Sequence, residues 1–126
     1  MKAPENFENF DAYACYDLIG CFALQEAIDL VSEAIAFARD QRIRKLLVDV
    51  TQATGFESPG TLERFYMAIQ FAREARSIVI VAIVAREELI DPDKFGITVA
   101  RNRGLLSDVF TSRADATAWL LDPHPQ

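Results

Sequence analysis

Residues 78–84 read IVIVAIV. Seven apolar residues follow one another without a polar break, and all but Ala82 are β-branched. A strand with one wet face alternates apolar and polar residues. An unbroken run marks a strand covered on both faces, and β-branched side chains suit the pleated surface. The fold class then depends on what flanks this run.

Upstream, residues 62–75 carry Leu62, Phe65, Tyr66, Ile69 and Ala72 at helical spacing, which predicts a helix with those five facing inward. Before it, residues 43–50 (IRKLLVDV) read as a strand with Leu46, Leu47 and Val48 inside. Residues 24–38 form another helical pattern through Leu24, Ala27, Ile28, Val31, Ala34, Ile35 and Ala38. Residues 11–19 (DAYACYDLI) read as the first strand, stopped by Gly20.

Downstream, Asp91-Pro92-Asp93 predicts a helix start: an Asp cap, Pro at the first helical position and an acid facing the helix dipole. Gly104 is placed to close that helix as a left-handed cap. Residues 108–110 follow as a short strand. Ser112, with Asp115 three residues on, caps a last helix that Pro123 ends. The order βαβαβαβα predicts one α/β domain over residues 1–126. It has a mostly parallel or mixed sheet of about four strands, about four helices and right-handed crossovers. Residues 1–9 read as a loose arm and residues 123–126 as a tail.

With 126 residues and 51% apolar content, the chain can fill a single core. Thirteen Lys and Arg against nineteen Asp and Glu give a net charge of −6, with no basic run. That balance argues against nucleic acid and anionic membrane as partners. No apolar stretch reaches the ~18 residues of a membrane span. The opening MKAPENFENFDAY lacks an apolar h-region, which predicts no secretory leader. Cys15 and Cys21 form neither a CxxC pair nor zinc spacing, and read as free buried thiols in a reducing cytoplasm. HExxH, P-loop and GxGxxG motifs are absent, and His124, the only histidine, sits in the tail. The expectation is a protein that is not an enzyme and uses no metal or cofactor.

Two segments carry candidate sites. In VDVTQATGFESPGT, residues 48–61, the strand leads through a turn with Gly55 at positive φ to Ser58, Pro59 and a helix. Ser58 either caps that helix through its oxygen or receives a phosphoryl group. Thr51, Thr54, Glu57, Ser58 and Thr61 would form a partner-facing loop at the carboxyl end of the sheet, where such folds place functional groups. In KFGITVARNRG, residues 94–104, Arg101 and Arg103 either favour the helix dipole or, with Arg86, bind an anion or acidic partner. Gly96 and Ala100 admit close approach, either of the sheet or of the same helix in a second copy, as in a homodimer. Phe65, Tyr66, Phe71 and Phe95 either fill the core or line a ligand site.

The stretch LLVDVTQATGFESPG resembles the loop of STAS-domain anti-sigma-factor antagonists. There, an Asp-hydrophobic-Ser/Thr step leads to an Asp-Ser-Ser-Gly turn. Asp49-Val50-Thr51 matches the step. Glu57-Ser58-Pro59-Gly60 lies over the turn, with Glu in place of Asp and Pro59 in place of the second serine. ELIDPDKFGITVARNRG and VFTSRADATAWL resemble the small stand-alone SpoIIAA-like, or STAS-like, branch, and the likeness runs over residues 12–121. It implies a SpoIIAA-like fold and a bacterial, non-enzymatic regulatory or interaction module. It also implies phosphorylation at Ser58 and a protein partner that is a kinase or an anti-sigma-like regulator. The broader superfamily resembles lipid carriers, which implies as an alternative a binder of a small apolar or lipid-like ligand beside the sheet.

Overall fold

The computed structural model describes residues 2–122; the expected helix stop at Pro123 and the histidine His124 lie outside them. The strands are β1 (Phe7–Asn9), β2 (Ala14–Asp17), β3 (Gly20–Cys21), β4 (Lys45–Asp49), β5 (Ala53–Thr54), β6 (Ile80–Val84) and β7 (Ser107–Phe110). The helices are α1 (Leu24–Asp40), α2 (Thr61–Ala75), α3 (Phe95–Asn102) and α4 (Arg113–Leu121), with a 3₁₀ turn at Glu87–Leu89. This is an α/β fold around a mixed five-stranded sheet, ordered β1-β2-β4-β6-β7. All pairs are parallel except β1 with β2, and β3 with β5 forms a small second sheet.

The run IVIVAIV supplies β6, held between β4 and β7. Its side chains divide by parity. Val81 and Ile83 join the larger core under α1, α2 and α3, while Ile80, Ala82 and Val84 join the smaller core under α4. The topology explains that split. From β2 to β7 each parallel strand is added beside the last, so right-handed crossovers send all three connecting helices to one face. The other face is covered by α4, which follows the last strand.

Residues 7–9 of the expected loose arm form the edge strand β1. Phe7 pairs with Tyr16 across the antiparallel edge, and its ring meets Phe37 of α1 edge-on at 4.9 Å. The sheet thus gains a fifth strand beyond the expected four. Gly104, at φ +92°, closes α3: the Leu105 N–H reaches back to the Ala100 carbonyl at 2.9 Å. Ser112 caps α4, its hydroxyl accepting the Asp115 N–H at 3.0 Å.

Two helix starts differ from expectation. α3 begins at Phe95, because Asp91 and Pro92 form a preceding turn. The Asp91 carboxylate still accepts the N–H groups of Phe95 at 3.0 Å and Asp93 at 3.1 Å. α2 begins at Thr61 with Gly60 as its N-cap, so Ser58 is not the cap. The Glu63 carboxylate accepts the Gly60 N–H at 2.9 Å and takes that role from inside the helix.

Candidate functional site

The loop from β4 to α2 is shaped by Gly55. Its φ is +99°, and a Cβ there would lie 2.5 Å from the Phe22 carbonyl oxygen and 2.8 Å from Cys21 Sγ. Only glycine lets the β3 and β5 backbones close at this point. Arg86 fixes the loop from the other side, its Nη1 donating to the Thr51 and Ala53 carbonyls at 3.0 Å each. Arg86 is therefore a loop clamp with Glu88 as its ion-pair partner, and not part of an arginine cluster.

Ser58 is exposed. Its Oγ accepts from Arg64 Nη2 at 2.8 Å, and the same guanidinium donates to the carbonyls of Pro59 and Leu89 at 3.0 and 3.1 Å. Thr54, Glu57 and Thr61 are also exposed. Thr51 is not, since its hydroxyl is bound 2.7 Å from the Asp49 carboxylate. Four of the five expected rim residues therefore reach the surface together.

α2 is rotated from its expected phase: of the five residues expected to face inward, Ala72 is buried, Phe65 and Ile69 are half-buried, and Leu62 and Tyr66 are exposed. Ala68, Phe71, Ala72 and Ala75 are buried, whereas Leu62 and Tyr66 are 65% and 61% exposed. Small residues let α2 settle closely beside α1 and the sheet. The bulkier set, one helical stripe through Leu62, Phe65 and Tyr66, is left on the outer side. Phe65 meets Tyr66 edge-on at 5.4 Å and lies under the Arg103 guanidinium at 5.9 Å. Of the four aromatic residues considered for a ligand site, only Phe71 lines the cavity described next.

Between the sheet and α1, α2 and α3 is a cavity of about 150 Å³. Ile28, Val31, Ala68, Phe71, Val81 and Ile97 contribute to its walls. Phe56, Pro59, Arg64, Leu89 and Ile90 also line it and are half-buried, so its outer end lies by the Ser58 loop. Sequence spacing places residues on faces but does not measure the gap between faces. Ala27, Ala68 and Ala100 contribute small side chains to the cavity walls.

On the opposite face, the carboxyl ends of β2 and β4 bring Asp17 and Asp49 side by side. Arg113, the first residue of α4, donates from Nη1 to Asp17 at 2.8 Å and to Asp49 at 3.0 Å. Its Nη2 lies 2.9 Å from Cys15 Sγ. Burial works against the Arg113 charge, but the Asp17 bond, the nearby Cys15 and the Asp49 bond together raise its pKa. Burial, and then the Asp17 charge, push the Cys15 thiol up to about 11, which keeps it protonated and poorly nucleophilic at neutral pH. Cys21 is exposed, contrary to the expectation that both thiols are buried. Among the described residues, no group of His, Cys, Asp and Glu is placed to hold a metal ion.

The remaining expected pairs separate. Arg101 donates to the Ser107 carbonyl at 3.3 Å and faces Asp108 at 3.9 Å, while Arg103 turns to the Phe65 ring. The helix geometry directs them apart, so they do not form one anion clamp. Gly96 faces α2, where an added Cβ would sit 3.6 Å from the Arg64 carbonyl oxygen, and Ala100 is 3% exposed. Their close packing takes place inside the chain, against α2 for Gly96. No helix among the described residues is long and apolar enough to cross a membrane. No family model matches the chain, and no curated protein matches it.

Proposed function

We propose that the protein is a non-enzymatic, STAS-like interaction module of the bacterial cytoplasm that docks a protein partner on the outer side of α2 and the adjoining Ser58 loop. One observation carries this reading: α2 has two apolar stripes, one spent in the core and one, through Leu62 and Tyr66, left largely exposed. A surface helix normally needs a single apolar stripe, and a second one beside a polar rim is what a partner would bury. The aromatic and arginine content of the patch, from Tyr66, Phe65 and Arg103, matches the side chains enriched at binding hot spots.

In this reading Ser58 is the regulatory position. Its hydroxyl is exposed and not occupied as a helix cap, and it already contacts a guanidinium. A phosphoryl group on it would add nearly two negative charges beside Arg64 and at the rim of the patch. Its partner would be a kinase or an anti-sigma-like regulator, as the likeness of the loop to STAS domains implies.

The test is co-purification of tagged protein from its own host, followed by phosphosite mapping. The double variant Leu62→Ser/Tyr66→Ser loses a partner that the wild type retains, and Ser58→Glu changes the amount retained. Equal recovery with all three proteins would overturn the docking face. Recovery unaffected by Ser58→Ala and Ser58→Glu, with no phosphate found on Ser58, would overturn the switch alone.

A further inference from the structure

We infer that the cavity beneath α1, α2 and α3 is a binding site for a compact, uncharged apolar molecule: an aromatic ring or short hydrocarbon of about six to eight heavy atoms. The inference goes beyond the docking reading and does not depend on it.

Size comes first. The cavity measures about 150 Å³. A space of that volume lined by Leu, Ile and Phe admits benzene. A long acyl chain does not fit within it.

Chemistry comes second. The deep wall is made by Ile28, Val31, Phe71 and Val81, contributed by two helices and the sheet. Among the described residues, no buried side-chain nitrogen or oxygen lacks a hydrogen-bond partner. The wall therefore offers no orphan side-chain donor or acceptor to meet a polar ligand, and burying a charged group there would be unfavourable. The charged residues that do line the cavity are engaged. Arg64 is bound to Ser58, Pro59 and Leu89, Lys94 pairs with Asp108 at 2.8 Å, and Asp91 accepts the Phe95 and Asp93 N–H groups.

Access comes third. The half-buried lining residues Phe56, Pro59, Leu89 and Ile90 all lie in the loops that follow strands. A ligand can enter by displacing loop side chains without separating a helix from the sheet.

Benzene and benzoate are the probes, titrated into methyl-labelled protein and followed by NMR. Benzene is expected to give saturable shifts at the methyl groups of Ile28, Val31 and Val81, with little change at Leu62 on the outer side of α2. Benzoate is expected to bind at least tenfold more weakly. Filling the space with Ala68→Leu should weaken benzene binding at least tenfold in a folded protein; if that variant does not fold, Ala27→Leu makes the same comparison. The inference is overturned by the absence of saturable shifts at the inner methyl groups. It is equally overturned by shifts confined to Leu62, by benzoate binding as tightly as benzene, or by full benzene affinity in a folded space-filling variant.

Discussion

At the scale of single residues, the two cysteines and Asp91 separate what sequence can give from what it cannot. Both thiols sit in similar apolar stretches, yet Cys15 is 2% exposed and Cys21 is on the surface. The two-residue β3 strand turns Cys21 outward, and no local pattern announces a strand that short. With its pKa pushed up to about 11, Cys15 is almost wholly thiol at pH 8. A disulfide reagent at that pH should modify Cys21 rapidly and Cys15 only after unfolding. Rapid modification of both in the native protein would contradict the buried environment. Asp91 was legible as a capping residue, though the helix begins three residues later than its spacing suggests, at Phe95 and not Pro92. The Phe95 N–H, and then the Asp93 N–H, hold its carboxyl below the ordinary 3.8. A carboxyl with a lowered folded-state pKa stabilises above its unfolded value, and that contribution is lost as pH falls through the folded one. Asp91→Ala is therefore expected to melt below the wild type at pH 7, with the gap closing on acidification below about 4. A gap that widens on acidification would reverse the sign of this assignment.

At the scale of elements, β4, β6, α1 and α4 were readable because burial and capping both have local signatures. α2 was readable as a helix but not in its rotation. Leu62, Phe65, Tyr66 and Ile69 form as good an apolar stripe as Ala68, Phe71, Ala72 and Ala75, and spacing alone favours the bulkier set. The choice is made by how closely α1 and the sheet approach, which is a tertiary fact. The anchoring of α4 was equally hidden: Arg113 lies far in sequence from Asp17 and Asp49, and its role appears only when β2 and β4 pair. Asp49 is 9% exposed in its side chain, while Arg113 is 48% exposed, so water screens part of the interaction. Arg113→Ala is expected to destabilise the protein by about 1–2 kcal/mol, less than the loss of a fully buried partner. Denaturant unfolding measures this, and an unchanged midpoint would show that α4 is held by its apolar face alone.

At the scale of the whole molecule, the α/β class and the interior place of IVIVAIV followed from the sequence, while the antiparallel β1 edge and the cavity did not. The strand order has no reversal between β2 and β7, so no crevice opens at a switch point in the sheet. The layer of α1, α2 and α3 covers one face of that sheet. The Ser58 loop, the outer stripe of α2 and the outer end of the cavity all occur in that layer, on the side away from α4. Photocrosslinking in the protein's own host tests the outer surface most directly. A crosslinkable residue at Tyr66 is expected to trap one defined protein partner, while the same residue at the exposed Ala118 of α4 traps none. Equal adducts from both positions, or none from Tyr66, would contradict the assignment of α2 as the docking face.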